Sequence, residues 1–381
     1  MWLKIYLLSI LAISVFTFVF LFGALPQFED TAVWKFRKWL SNRPAAIRSW
    51  DSKYCGGRLS VVGDFCGSVV APAAPWSVPI LYCAFTTYMF SAYYEDLHPF
   101  IAENHWYYAW LAPVAYTILV VSFVLATFSD PGKITKQNHA LLLNQFRFDN
   151  LMFLEDTECS TCKFTKPARS KHDRFTNKCV AKFDHYCLWI NNTVGLYNYR
   201  WFLFFLLGNV WTLCWGALLA GLKMIVMVAA EYKDHPKPLP SIFSQWWQVM
   251  ITNENKRVGI IFLLSVSTGA LACAFTAMHF YYIYLGATTN ETDKWGDIHA
   301  AISEGSVWMF QKPGFKLDRS ILLQKDEEGR PNRSLTAEER EYVAQNGLAL
   351  TLLTDHKPIV NIYDKGFLNN LKAVMFPNSA Y

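Results

Sequence analysis

KFDHYCLWINNTVGLYNYRWF, Lys182 to Phe202, sets an aspartate, a histidine and a cysteine within four residues and then runs into a long apolar stretch. Its reading decides the fold, because it joins a polar, cysteine-bearing block on one side to a membrane-length segment on the other. By itself it leaves three roles open for Cys187: metal ligand, buried thiol or nucleophile.

Working outward, the 381-residue chain is 53% hydrophobic, 17% aromatic and only 17% charged, too apolar for an ordinary soluble enzyme of this size. About 20 helical residues cross a ~30 Å hydrocarbon core. Five windows approach that length: Leu3–Leu25, Val78–Tyr94, Tyr107–Phe128, Trp201–Ala230 and Val258–Leu285. The second is short and follows Pro72, Pro75 and Pro79. Backbone groups in lipid must be satisfied within their own segment, so these windows predict helices. The first runs too long for a signal peptide and has Lys4 as its only early charge, which predicts an uncleaved anchor. The expectation is an all-α polytopic membrane protein of about five transmembrane helices with a small cytosolic domain.

Loop charge sets orientation, since Lys and Arg accumulate on the cytosolic side. Residues 26–77 hold seven basic residues between Lys35 and Arg58, and 129–200 are rich in both types, whereas Glu95–His105 has neither. Alternation puts the N-terminus in a lumen or outside. The chain divides into a membrane region at 1–128 with a cytosolic loop at 26–77, a cytosolic cysteine-rich domain at 129–200, two further helices at 201–285 and a cytosolic tail at 286–381. The net charge of +5 follows from this bias and calls for no nucleic-acid partner. Within the tail, the charged run Leu323–Glu341 reads as mobile, and Asn361–Phe376 reads as an amphipathic helix on the membrane or the bundle.

Four of nine cysteines, Cys159, Cys162, Cys179 and Cys187, fall within 29 residues. Disulfides do not persist in the cytosol, so a metal or a reactive thiol is the better reading. Cys159 and Cys162 form a two-thiolate bite. His172 and Cys179 complete a three-cysteine, one-histidine set suited to tetrahedral zinc. A redox pair or two plain thiols stay open on spacing alone. A closed set of four ligands leaves no catalytic position, so this zinc would staple a block with little core of its own. Cys187 is left over. A base within reach activates a thiol, and in an extended stretch His185 and Cys187 share a face; Asp184 would need a turn to reach His185. A buried thiol beside a surface histidine remains the alternative at this point.

The run Cys159–Phe202 resembles the cysteine-rich domain of DHHC protein S-acyltransferases, through KPARSKH (166–172), DHYCLWINN (184–192), VGLYN (194–198) and Phe202. Outside it, DPG (130–132), TTNE (288–291) and NIYDKGFLNN (361–370) match the family's flanking motifs. NETDKW (290–295) and NIYDKG look most like the fungal endoplasmic-reticulum branch that acylates SNAREs. The resemblance implies an acyl thioester on Cys187 formed from palmitoyl-CoA, with His185 as base and Asp184 orienting it. It implies transfer to juxtamembrane cysteines of membrane-protein clients, Trp189 flanking the thioester and Thr289 bracing Asp184. Interfacial anchoring for Trp189 and helix capping for Thr288 and Thr289 are the simpler roles.

The family builds two zinc sites. The first maps onto Cys159, Cys162, His172 and Cys179, all present. The second maps onto Asp173, Thr176, Tyr186 and Thr193, each of which lacks the family's Cys or His. One zinc is therefore expected, with Tyr186 and its companions filling the vacated volume. The rival from another class is a catalytically inactive, zinc-stapled membrane adaptor.

Overall fold

The computed structural model describes residues 31–36, 38, 53 and 74–377, apart from 150, 156, 235–240, 253–254, 304, 306, 312–320, 325–336, 348 and 354–358. The first apolar window and most of the 26–77 loop lie outside the described residues.

Four long helices carry the remaining windows: α1 (Ala74–Asp96), α2 (Leu111–Phe128), α3 (Tyr199–Glu231) and α4 (Lys256–Tyr284). Among the described residues, three segments are long and apolar enough to cross a membrane: Trp106–Phe128, containing α2, and then α3 and α4. The α1 segment is a 23-residue helix with Pro79 inside it and is not among those three. Leu119, Leu203, Leu206, Leu219, Met224 and Ile261 are buried where these helices meet.

Punctuation in the sequence explains how the helices deliver the chain to the cysteine block. α2 ends at Phe128, where Ser129 turns extended (ψ 152°) and Pro131 follows. The Asp130 carboxylate then accepts the N–H groups of Gly132 (3.1 Å) and Lys133 (3.0 Å), fixing the turn, and Gly132 occupies φ +99°. The Asn192 amide donates to the carbonyls of Ala126, Thr127 and Ser129, capping carbonyls at the end of α2 that have no partner within the helix. Gly195 is needed for close approach: a Cβ there would lie 2.5 Å from the Pro131 carbonyl oxygen.

The block itself is two short antiparallel hairpins, β1 (Lys171–Asp173) with β2 (Lys178–Val180) and β3 (His185–Cys187) with β4 (Asn192–Val194). Ile134, Leu142, Phe146, Phe153, Ala181 and Leu196 form a small apolar core around Cys159 and Cys179. Beyond α4, helix α5 (Thr289–Ser303) leads to an antiparallel sheet ordered β6 (Ile321–Gln324), β5 (Val307–Gln311), β7 (Ala349–Leu352). That sheet is a departure from the all-helical expectation. Its strands are runs of four or five residues, too short to show a period against the charged sequence around them. Most of the charged run Leu323–Glu341 lies outside the described residues, though its end joins a helix at Ala337–Asn346. The chain closes with α6 (Phe367–Met375), which buries Asn370, Ala373 and Val374 and exposes Leu368. That is the amphipathic helix expected from Asn361–Phe376.

Candidate active site

β3 pairs with β4 in register His185 to Val194, Tyr186 to Thr193 and Cys187 to Asn192. Alternation along β3 puts His185 and Cys187 on one face, with Tyr186 opposite. Asp184 sits just before the strand, its N–H donating to the Val194 carbonyl (2.9 Å), and its carboxylate reaches the next residue's ring: His185 Nδ1 lies 2.6 Å from Asp184 Oδ2. The turn this needs is supplied by leaving the strand.

Asp184 is 2% exposed and held by a segment about a hundred residues away. Thr289 donates its backbone N–H to Oδ1 (2.9 Å) and its hydroxyl to Oδ2 (2.8 Å). Thr288, next to it, caps α5: Thr288 N–H donates to Glu291 Oε2 (2.9 Å), and Glu291 N–H donates to Thr288 Oγ1 (3.3 Å). This is a capping box, and the Thr288 hydroxyl also donates to the Phe183 carbonyl (3.0 Å). The two threonines thus divide the roles between them, one capping and one touching the aspartate. Glu291 further receives Arg169 through two bonds (2.6 and 2.5 Å), both residues fully buried. The paired geometry fixes orientation as well as charge. Arg169 also donates to the Gly286 carbonyl and lies over the Tyr363 ring. Asn361 caps the end of α4 by donating to the Leu285 carbonyl (2.8 Å), and the Tyr363 hydroxyl donates to the Arg147 carbonyl (2.9 Å).

These contacts set the charges. Burial alone would raise the Asp184 pKa, but the His185 hydrogen bond leads the opposing influences and holds it at about 2. Burial works against charging His185, yet the bond to Asp184, and after it the neighbouring Cys187 sulfur, lift the ring to about 10. A protonated imidazole beside a sulfur, fixed by a buried carboxylate, is the charge pattern of an activated cysteine site. Cys187 itself is 8% exposed, in an apolar cluster with Leu119, Phe123, Ile190 and Phe202.

Leu119 also lines an apolar cavity between α1, α2, α3 and α4, open in part to the outside and walled further by Met89, Tyr116, Trp215, Leu219 and Ile261. The site therefore sits on the apolar packing that leads into the bundle. Trp189 is 57% exposed, with its ring edge toward Tyr82 of α1 (6.2 Å between centroids).

Cys159, Cys162, His172 and Cys179 converge with all ligand atoms within 4.8 Å of one another. The three sulfurs lie 3.6, 3.4 and 3.7 Å from His172 Nδ1. A tetrahedron with Zn–S near 2.3 Å and Zn–N near 2.05 Å has S···N edges of about 3.6 Å, so the donor set fits that metal. Among the described residues this is the one His/Cys cluster that could hold an ion. At the positions of the second family site, Asp173 accepts the hydroxyls of Thr176 (2.8 Å) and Thr193 and the N–H of Phe175 (3.0 Å). Tyr186 stacks on Phe175 (4.4 Å) and donates to Asn191. Hydrogen bonds and ring packing occupy that region.

Sequence reasoning missed the role of Tyr199 and His279. The Tyr199 hydroxyl meets His279 Nδ1 (3.0 Å), and the His279 ring lies 5.8 Å from that of His185. The available signal was a histidine inside an apolar window.

A family profile for DHHC palmitoyltransferase matches residues 152–296. The chain is similar to palmitoyltransferase swf1 of Schizosaccharomyces pombe, 32% identical over 98% of this chain and 96% of that protein. It is similar to palmitoyltransferase SWF1 of Debaryomyces hansenii, 33% identical over 98% and 96% of the two chains. Bovine palmitoyltransferase ZDHHC4 is 32% identical over 50% of this chain and 56% of its own.

Proposed function

The chain belongs to the DHHC palmitoyltransferase family and is a protein S-palmitoyltransferase, and from that premise we propose that it moves a long-chain acyl group from acyl-CoA to client cysteines through an S-acyl intermediate on Cys187. The observation that carries the reading is the buried Asp184–His185 pair, braced by Thr289, on the strand face shared with Cys187.

In the first half-reaction His185 receives the thiol proton of Cys187, and the sulfur attacks the thioester carbonyl. The new C–S bond forms, the bond to CoA sulfur breaks, and the proton leaves with the CoA thiol. In the second, a client thiol gives its proton to His185 and attacks the Cys187 thioester, and Cys187 regains a proton as it leaves. One thioester replaces another in each half, so the protein's task is lowering the barrier. The acyl chain occupies the apolar cavity beyond Leu119, where burial contributes about 0.8 kcal/mol per CH₂. Trp189 flanks the thioester. Cys159, Cys162, His172 and Cys179 would hold one structural zinc, which would tie the Cys159–Cys162 turn to the β1–β2 hairpin and take no part in the transfer.

The protein resides in the endoplasmic reticulum with residues 129–200 and 286–381 in the cytosol and the N-terminus in the lumen. Its clients are SNAREs and other membrane proteins with cysteines beside their membrane spans. Loop charge supports the orientation, and the likeness of NETDKW (290–295) and NIYDKG (361–366) to the fungal branch supports the location and the clients. The test reconstitutes purified protein with palmitoyl-CoA and a SNARE carrying a juxtamembrane cysteine. Hydroxylamine-sensitive palmitate should appear on the SNARE with wild type and not with Cys187→Ala. Equal labelling with both proteins would favour the inactive-adaptor alternative.

Thr289→Val keeps the backbone N–H bond to Asp184 and removes the hydroxyl bond. A hydrogen bond to a buried charge is worth about 1.5–3 kcal/mol, which predicts transfer about ten- to a hundredfold slower. Thr289→Ser should restore most of the rate. A Val variant with wild-type turnover would remove Thr289 from the machinery.

A further inference from the structure

Two buried rings beside the reactive pair carry polar atoms that the transfer chemistry leaves unused. Tyr199 is the first residue of α3 and His279 lies near the end of α4, 4% and 1% exposed. Their side chains meet across 80 positions, the Tyr199 hydroxyl 3.0 Å from His279 Nδ1. The other ring nitrogen of His279, Nε2, is buried without a hydrogen-bond partner among the described residues. Phe202, Phe275 and Tyr282 pack around the ring. An apolar side chain in that company would carry no unpaired buried atom, so packing alone gives no reason for a histidine.

The neighbour that gives one is His185. The two imidazoles lie 5.8 Å apart between centroids, tilted by 39°. Phe202 packs against both at 5.1 Å and near right angles, 70° and 78°. His185 is thereby held on two sides. Asp184 binds its Nδ1 at 2.6 Å, and the wall of Phe202 and His279 meets the ring itself. A hydrogen bond at one nitrogen still lets a ring pivot about that point, and a second, rigid contact removes the freedom. The wall is rigid only if His279 cannot turn, and the Tyr199 hydroxyl fixes its orientation.

We propose that His279, held by the Tyr199 hydroxyl, is a positioning residue for acyl transfer that keeps the His185 imidazole turned toward the Cys187 sulfur. This role rests on the reading of His185 and Cys187 as the reactive pair. Neither Tyr199 nor His279 lines the apolar cavity assigned to the acyl chain, so donor affinity should not depend on them.

The test first reads the thiol without an acyl donor. Full-length protein in detergent reacts with iodoacetamide at neutral pH, and alkylation of the Cys187 peptide is timed by mass spectrometry in wild type, His185→Ala, His279→Phe and Tyr199→Phe. His185→Ala should slow alkylation. His279→Phe keeps a ring against Phe202 but loses the acceptor for Tyr199, and Tyr199→Phe removes one oxygen; both should slow it by at least threefold. In palmitoyl transfer both should lower kcat about ten- to a hundredfold, the scale on which small misplacements act, with KM for palmitoyl-CoA within twofold. The double variant should lose no more than either single one, because each change breaks the same hydrogen bond. A merely structural role would lower the folded fraction and leave these properties of the folded protein alone. If His279→Phe does not fold, Tyr199→Phe carries the test by itself. Slowed alkylation in His185→Ala with wild-type alkylation and kcat in the folded variants overturns the positioning role and spares the reactive pair. An unchanged rate in His185→Ala overturns both.

Discussion

Asp184→Asn should slow acyl transfer by about 10²–10⁴-fold without unfolding the protein. The size follows from what the carboxylate does: it holds the His185 ring by Nδ1 at 2.6 Å and stabilises the ring's protonated form. In catalytic triads the equivalent change leaves geometry nearly intact yet costs about 10⁴ through the wrong tautomer. The amide also removes the leading upward influence on His185, while burial, which favours the neutral ring, stays in place. The ring pKa therefore falls from about 10. The His185 ring then loses its proton at lower pH in the variant. The alkaline limb of the rate profile between pH 6 and 10 should move toward acid. A variant with an unchanged limb and a rate within threefold of wild type would mean that Asp184 only supports the fold.

The second large effect concerns the metal. Replacing Cys179 with Ser, or stripping metal with a strong chelator, should collapse the cysteine block. Structural zinc in small domains contributes an apparent ~10–16 kcal/mol, comparable with or above the ~5–15 kcal/mol that holds a domain folded. The block's apolar core is small and encloses Cys159 and Cys179 themselves, so little would remain to hold it. Expected results are rapid proteolysis within residues 152–200 and loss of acyl transfer together. Elemental analysis of the purified protein should give one zinc per chain. Two would contradict the reading of Asp173, Thr176, Tyr186 and Thr193 as a region closed by hydrogen bonds and stacking.

How much of this was legible in the sequence depended on distance along the chain. The cluster of Cys159, Cys162, His172 and Cys179 was readable because its members fall within 21 positions, and zinc chemistry dictates both residue type and local spacing. The membrane helices were readable because hydrocarbon thickness fixes their length; α3 and α4 begin within two residues of the expected windows. The bonds that define the site were different. Thr289 reaches Asp184 across 105 positions and Arg169 reaches Glu291 across 122. No local pattern specifies such pairs, and only likeness to a family singled out Thr289 beforehand. Lys182 was hidden for another reason. In a segment rich in Lys and Arg it reads as one more solvated charge, yet it is 9% exposed. The short strands after α5 carried too few residues to display a period.

The most direct test of the central claim is to incubate the purified protein alone with palmitoyl-CoA, digest it, and locate the acyl group by mass spectrometry. One hydroxylamine-labile palmitoyl group on the peptide containing Cys187, gone in Cys187→Ala and strongly reduced in His185→Ala, is the predicted result. Palmitate of equal yield in wild type and Cys187→Ala, or an adduct confined to another cysteine such as Cys83 or Cys214, would contradict it.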